Sequence, residues 1–363
     1  MKKILMGMVA LGIAGSASAM VKIQFPQGTT GEYTLESRII SDMVKPRIQR
    51  PRPVVEDIVP QNGEYVFNQT EVGAARYVLE ISDKDAIVFY TMPYEDLTVD
   101  IKSIAPLDYS VSGSVLMEGI SSLLPESQRI QREYVTLGLN PDPDKEAMSK
   151  LVKEYMALHK QYIVDHPESP AAVYALMELD GDDFISGFET LTPEARLSPL
   201  YVLAEQKQSQ IEKRRESERK MEELNKGTLD AYNFSLSNPE GEKVTLSDFR
   251  GKWVILDFWG SWCPWCIKGF PALREAYAQY AGKLEIIGID CNETEQAWKD
   301  ALLKYDLPWV QVYNSEIGAQ RLYDEYAVNG FPTKIVINPE GKVVNITVGE
   351  DPSFFEMLAK LIK

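Results

Sequence analysis

The chain has 363 residues, more than one ordinary hydrophobic core accommodates, so we expect two or three domains. It is acidic, with 54 Asp and Glu against 38 Lys and Arg and a formal net charge of -16. An acidic surface repels phosphate backbones and anionic lipid headgroups, which excludes nucleic acid and membrane surfaces as expected partners.

The first residues have the form of a secretory signal peptide. Two lysines follow Met1, residues 4–14 are apolar apart from glycine, and small residues end the segment at Ala17-Ser18-Ala19. An uncleaved membrane anchor is the alternative, but the apolar run is shorter than the roughly 20 residues that a bilayer requires. We therefore expect cleavage after Ala19 and a periplasmic or otherwise extracytoplasmic protein without a membrane span.

Residues 20–114 are predicted to be a β-rich N-terminal domain. Apolar, partly β-branched or aromatic runs at 77–81 and 86–90 flank a short polar segment, which predicts a hairpin. Four prolines between residues 36 and 60 favour an extended loop or edge strands there.

Residues 115–226 are predicted to be a helical region that ends in a connector helix. Helix starts are expected at Pro125, after Asp142, at Ser169 and at Thr192, the last helix continuing to Asn225. The segment 211–226 mixes both charge signs and has few apolar residues, which predicts a solvated connector. A coiled-coil dimer arm is the alternative, but the apolar seam is sparse.

Residues 227–363 alternate strand and helix patterns, which predicts an α/β sheet with mainly parallel strands and an antiparallel end. The run 253–259 is almost continuously apolar, broken only by Asp257, as in a buried central strand. Further strands are predicted at 284–289, 309–313, 334–338 and 343–348. Helices are predicted at 270–280, 295–305, 317–326 and 353–362.

The chemistry of the chain centres on its cysteines, all three of which follow residue 260. Two of them, Cys263 and Cys266, stand between the predicted central strand and the next helix. A sulfur at a helix N-terminus meets free backbone N–H groups and the positive end of the helix dipole, and both favour the thiolate. We expect a redox-active disulfide in which Cys263, the more exposed sulfur, attacks and Cys266 resolves the mixed disulfide.

Zinc ligation and a merely structural disulfide are the alternatives for this pair. Zinc needs further ligands, and the two histidines, His159 and His166, lie in the helical region. We expect neither a metal nor an organic cofactor.

The segment 257–263, Asp-Phe-Trp-Gly-Ser-Trp-Cys, followed by a second cysteine, resembles the active-site region of thioredoxins. The lead-in 246–252 and the signal peptide make residues 228–363 similar to TlpA/ResA-type extracytoplasmic thiol-disulfide oxidoreductases of the AhpC/TSA-related group. This resemblance implies a thioredoxin-like α/β domain over residues 227–363, with a central mixed sheet flanked by helices, and an extra strand and helix near 292–314.

The resemblance also implies roles for particular residues. A cis peptide bond is implied between Phe331 and Pro332, which would face the cysteines and hold a substrate peptide. Asp257 matches a buried acid that moves the proton of Cys266, so Cys263, Cys266 and Asp257 are the expected catalytic residues. The alternative for Asp257 is a polar strand-end residue turned to solvent.

Substrate contacts are expected from the apolar side chains around the cysteines, Trp262, Pro264, Trp265, Phe331 and Pro332. The expected partners are exported cysteine-containing proteins, with a membrane thiol donor if the protein is a reductase. Two positions depart from relatives: Trp265 precedes the second cysteine where reducing relatives often carry proline, and Gly269 stands where some carry glutamate. The direction of electron flow therefore stays open.

Other functions remain possible interpretations of the same residues. A peroxiredoxin-like peroxidase requires a Pro-x-x-x-Thr-x-x pattern before its cysteine, and neither Cys263 nor Cys291 has one. An envelope binding module with a secondary thioredoxin fold is the third hypothesis. Cys291 is expected to be an unreactive, semi-buried thiol, the alternative being glutathionylation or a second disulfide.

Overall fold

The computed structural model describes residues 19–69, 73–83, 85–314 and 316–362. The predicted signal peptide, apart from Ala19, lies outside the described residues. The chain separates into two compact units, the first ending at Ile211 and the second beginning at Glu212. In the described part of the chain, no helix combines the length and the apolar character that crossing a bilayer demands.

The described part of the first unit starts with eight strands: β1 Met20–Gln24, β2 Tyr33–Ile39, β3 Val54–Ile58, β4 Glu64–Asn68, β5 Ala75–Glu80, β6 Ala86–Thr91, β7 Leu97–Ile104 and β8 Leu107–Ser112. They form two four-stranded sheets, ordered β4-β1-β7-β8 and β3-β2-β5-β6. The predicted hairpin is confirmed, since β5 and β6 pair antiparallel with Val78 opposite Val88. The strand that begins directly after Pro53, β3, lies at a sheet edge, which confirms the predicted edge strand.

The helices that follow are α2 Val115–Gly138, α3 Lys145–Asp165, α4 Pro170–Met177, α5 Gly181–Thr190 and α6 Tyr201–Leu224, with the short α1 Ile40–Met43 lying earlier. Strands and helices of the first unit share one core, in which Leu79 and Phe89 join Met117 and Leu176. The prediction of a β-rich segment followed by helices is confirmed.

Two predicted helix starts are wrong. Helix α2 begins ten residues before Pro125, which lies inside it, because Leu116, Ile120 and Leu123 bury one face of the longer helix. The prediction at Thr192 fails because Ser198 is held extended, at φ -55° and ψ 136°, by the proline that follows it. Only a 3₁₀ turn forms at Ala195–Leu197, and α6 starts after it.

Among its described residues, the second unit has seven strands: β9 Ser235–Ser237, β10 Lys243–Thr245, β11 Trp253–Trp259, β12 Leu284–Asp290, β13 Val310–Val312, β14 Thr333–Ile337 and β15 Val343–Val348. Its helices are α7 Pro264–Gln279, α8 Glu295–Tyr305, α9 Glu316–Tyr326 and α10 Ser353–Leu361. The main sheet has the order β13-β12-β11-β14-β15, with β11 to β13 parallel and β14 and β15 antiparallel. The predicted mixed sheet and its central strand are confirmed, and α8 with β13 is the implied insertion.

Strand β11 buries both of its faces. Val254, Leu256 and Phe258 pack into one core, whereas Ile255 and Trp259 pack into a second core together with Cys263 and Cys266. Because side chains alternate along a strand, Asp257 lies on the same face as Ile255 and Trp259, the face that α7 covers. The fold therefore positions a carboxyl group on the cysteine side of the sheet.

Candidate active site

The cysteines stand in the connection from β11 to α7. Cys263 is the N-cap residue of α7, and Pro264 occupies the first helical position, where its missing N–H costs nothing. The backbone N–H of Cys266 donates to Cys263 Sγ at 3.2 Å. The two sulfurs are joined in a disulfide, with the Cα atoms 5.3 Å apart. The first turn of α7 thus directs a backbone donor and its dipole at one particular sulfur.

The two cysteines are equally buried, which corrects one expectation. Each is 3 % exposed, so Cys263 is not the more exposed of the pair. What distinguishes them is the hydrogen bond, because an N–H that donates to a sulfur stabilises its thiolate. The structure therefore supports Cys263 as the attacking sulfur on electrostatic grounds and gives no support on the ground of exposure.

Asp257 is buried, as the resemblance implied. Its exposed fraction is 2 %, and burial raises its pKa from 3.8 to about 6, while Lys334 lowers the pKa and Glu350 raises it. The solvent-turned alternative is therefore wrong. Near neutral pH this carboxyl group can exist in both protonation states, which is what a proton carrier requires.

The loop before β14 lies against the cysteine segment. The Phe331–Pro332 bond is cis, and Pro332 is buried with its carbonyl accepting from the N–H of Gly349 at 2.7 Å. The Phe331 ring meets the Trp262 ring edge-on, with centroids 5.4 Å apart. Trp262 is 47 % exposed and Trp265 is 60 % exposed, so Trp262, Trp265 and Phe331 form an open apolar rim. Pro264 is also exposed.

Sequence reasoning missed the residues that hold the loop between β11 and α7. Glu293 accepts the backbone N–H of Ser261 at 2.7 Å and also its hydroxyl group. The indole N–H of Trp262 donates to the carbonyl of Cys291 at 2.8 Å. A signal was present, because the carboxyl ends of neighbouring parallel strands meet at one sheet edge, and residues 291–293 follow β12.

Sequence reasoning also missed an ion pair between a buried lysine and a more exposed glutamate. Lys334 Nζ lies 2.6 Å from Glu350 Oε1, and the Lys334 side chain is only 3 % exposed. Lys334 is the cross-strand partner of Asp257 in the pairing of β14 with β11. The sequence offered one signal for this pair, because Lys334 stands in a strand pattern of mainly apolar residues.

Cys291, the remaining cysteine, is fully buried rather than semi-buried. Burial raises the pKa of its thiol, and the thiol donates to the carbonyl of Ile289 at 3.3 Å. These features support the unreactive interpretation, because a buried neutral thiol is a poor nucleophile.

The histidines belong to a different unit from the cysteines. His159 lies in α3 and His166 at its C-cap, both in the first unit, whereas the cysteine pair lies in the second. Among the described residues, no three Asp, Glu, His or Cys side chains are grouped as metal ligands would be.

Comparison with known proteins gives the class of the second unit. Residues 229–346 match the AhpC/TSA family. The ResA thiol-disulfide oxidoreductase of a Bacillus cereus strain is 38 % identical over 122 residues, which are 33 % of this chain and 69 % of that protein. The ResA of Bacillus subtilis (strain 168) is 35 % identical over 129 residues, or 35 % and 70 % of the two chains.

Solved structures include the thioredoxin domain of a thiol-disulfide oxidoreductase from Bacteroides vulgatus, 29 % identical, with a TM-score of 0.35. The match covers 37 % of this chain and 96 % of that one. By its family match and its sheet order, the second unit belongs to the thioredoxin-like oxidoreductases. More closely, the chain belongs to the AhpC/TSA family, among its ResA-like thiol-disulfide oxidoreductases.

Burial of Asp257 predicts a pH-dependent stability difference. The wild-type protein should lose stability as the pH rises from about 4 to 6, because the fold disfavours the ionised carboxyl group, whereas Asp257→Asn has no such loss. Relative to wild type, the variant should gain about 2.5 kcal/mol between pH 4 and pH 8, which follows from a pKa shift of about two units.

Denaturant unfolding followed by tryptophan fluorescence measures this difference, since all six tryptophans lie in the second unit. Asp300→Asn, on the exposed face of α8, is the matched control and should show no pH-dependent gain. The same stability difference at both pH values would show that Asp257 does not carry a raised pKa.

Proposed function

We propose that this protein is an exported thiol-disulfide oxidoreductase that reduces or exchanges disulfides in extracytoplasmic proteins through Cys263 and Cys266. The observation that carries the proposal is the donation of the Cys266 N–H to Cys263 Sγ at the start of α7. A sulfur stabilised in this way is a nucleophile and a good leaving group near neutral pH. Disulfide exchange needs both properties in one cysteine.

The reaction needs two sulfur displacements. In the reduced protein, the Cys263 thiolate attacks one sulfur of a substrate disulfide, and the second substrate sulfur leaves with the bonding electrons and takes up a proton. Cys266 then attacks Cys263 Sγ, which restores the Cys263–Cys266 disulfide and releases the first substrate sulfur. Two electrons pass from the protein to the substrate, and no metal or organic cofactor takes part.

Asp257 serves the second displacement. Cys266 must lose its proton before it attacks, and a carboxylate on the same face of the sheet is the acceptor that we propose. A pKa of about 6 leaves enough carboxylate at neutral pH for this step. In the reverse direction the protonated carboxyl group returns the proton to the Cys266 sulfur.

The apolar rim of Trp262, Trp265 and Phe331 is proposed to bind substrate chains. Exposed aromatic side chains beside a reactive sulfur favour extended or unfolded segments that carry apolar residues. Pro264 adds to this surface, and Pro332 with the Phe331 backbone is proposed to align the substrate peptide.

We propose exported cysteine-containing proteins as substrates and a membrane thiol donor as the source of electrons. We propose reduction as the direction of electron flow, with Trp265, in the dipeptide between the two cysteines, as a position that tunes the redox potential. The catalytic domain is proposed to span residues 227–363, preceded by a β-rich domain at 20–114 and a helical region at 115–226.

Trapping of a mixed disulfide tests the roles of the cysteines. Reduced Cys266→Ser should accumulate a covalent adduct with a disulfide-containing protein, because Cys263 attacks but nothing resolves the product. Cys263→Ser should form no adduct, and Cys291→Ala is the control that should behave as wild type. Non-reducing electrophoresis and mass spectrometry measure the adduct.

Other outcomes would favour other functions. Retained turnover in Cys263→Ser would contradict catalysis by the pair. A retained cellular phenotype in a Cys263→Ser strain would favour the binding module. Rapid consumption of hydrogen peroxide by the wild-type protein would favour the peroxidase.

Substitution of Trp265 by alanine tests the apolar rim. The KM for a protein or peptide disulfide should rise about tenfold, the equivalent of roughly 1.4 kcal/mol of lost contact, while a small aromatic disulfide should react as before. Leu303→Ala, which removes another highly exposed apolar side chain on α8, should leave both substrates unaffected. An unchanged KM for the protein substrate in Trp265→Ala would exclude this side chain from substrate binding.

Export is tested by expression of the full chain in a Gram-negative host. The mature protein should be found in the periplasmic fraction with Met20 as its first residue, and a chain begun at residue 20 should remain in the cytosol. Full-length protein that retains residues 1–19 in the cytosol would contradict the proposal.

A further inference from the structure

A buried lysine lies beside the proposed proton carrier. The Lys334 side chain is 3 % exposed, and lysine is almost never buried unless its charge is compensated. Its register on β14 places it opposite Asp257 on β11. Lys334 lies on the same face as Val336, which packs in the core that contains Cys263 and Cys266. The charge of Lys334 therefore acts on the cysteine side of the sheet.

Glu350 compensates that lysine from another part of the chain. Its carboxylate, just after β15, accepts from Lys334 Nζ at 2.6 Å. The same carboxylate lies against Gly269 of α7, where an added Cβ would come within 2.5 Å of Glu350 Oε1. Gly269 follows Cys266 by three residues, almost one helical turn. The absence of a side chain at Gly269 is what lets Glu350 reach this position.

We propose that Lys334 and Glu350 are positioning residues that act through Asp257, setting its charge state and hence the supply of protons to Cys266. The inference rests on the proposed function, because it assigns Asp257 the proton step. Neither residue touches the reacting sulfurs in this proposal. The positive charge of Lys334 favours the ionised form of Asp257, and the negative charge of Glu350 favours the protonated form.

The two charges have opposite effects on Asp257. The Lys334 ammonium favours the ionised carboxyl group and lowers its pKa, whereas the Glu350 carboxylate raises that pKa and also neutralises the lysine. The other groups near Asp257 contribute little charge. The Cys291 thiol, beyond the end of β12, is neutral because burial raises its pKa, as burial also does for the pKa of the neighbouring Asp290. The cysteines at the start of α7 are uncharged while they are bonded.

The step that the pair controls is a balanced proton transfer. The Cys266 thiol gives its proton to the Asp257 carboxylate, so a thiolate and a carboxylic acid are formed. The thiolate then forms a bond to Cys263 Sγ, and the substrate sulfur leaves with the bonding electrons. A higher pKa makes the Asp257 carboxylate a stronger base, but it also lowers the fraction of Asp257 that is ionised at a given pH.

The test is a titration of the Asp257 carboxyl group by ¹³C NMR in the full-length oxidised protein, with Asp257→Asn used to assign the resonance. Lys334→Met should move the titration midpoint up, and Glu350→Gln should move it down, each by about one pH unit. Single-turnover resolution of a mixed disulfide should show the same displaced midpoints. Glu295→Gln, which breaks the exposed ion pair with Lys299 on α8, should move neither.

Opposite shifts would support the proposal, because a loss of packing alone has no reason to move the midpoint in opposite directions for the two variants. An unchanged midpoint, or a shift in the same direction in both variants, would overturn it. Should Lys334→Met fail to fold, Glu350→Gln alone decides through the direction of its shift. The titration needs no turnover, so its outcome is independent of the trapping experiment that tests the proposed function.

Discussion

The first turn of α7 points the backbone N–H of Cys266 at the sulfur of Cys263, and contacts within the second unit keep that turn in place. When a helix follows a central parallel strand within a few residues, the helix must begin close to the carboxyl end of that strand. The chain makes this connection in four residues, Gly260 to Cys263. Such a short connection leaves the sulfur little freedom, so its electrostatic surroundings are fixed before any substrate arrives.

The connection is held by groups distant in sequence, from the segment after β12 and from the cis-proline loop. Glu293 anchors the backbone and hydroxyl of Ser261, and the carbonyl of Cys291 fixes the indole of Trp262. Phe331 then packs edge-on against that indole. These contacts bring the cysteine pair, the end of β12 and the cis-proline loop together in one site. Cys291 contributes its backbone carbonyl to the site, while its thiol packs in the core of the second unit.

Much of this arrangement was predictable because it depends on local patterns. The apolar run that ends at Trp259 identified the central strand. A helix after the cysteines was expected, but its apolar pattern placed the start at 270, whereas α7 begins at Pro264. Errors arose where packing outweighed local signals. Proline is favoured at a helix start, yet α2 begins ten residues before Pro125 because buried apolar side chains stabilise the longer helix. Ser198 is held outside the helix by the proline that follows it. Glu350 could not be linked to Asp257, because only the folded sheet brings them together.

The decisive measurement is the reduction potential of the Cys263–Cys266 pair, by equilibrium with glutathione or dithiothreitol buffers and thiol labelling. We expect a reversible two-electron couple, with a potential closer to about -270 mV, as in thioredoxin, than to about -120 mV, as in a strong dithiol oxidant. A value near the second would contradict reduction as the physiological direction. The absence of any reversible couple would contradict disulfide exchange by this pair altogether.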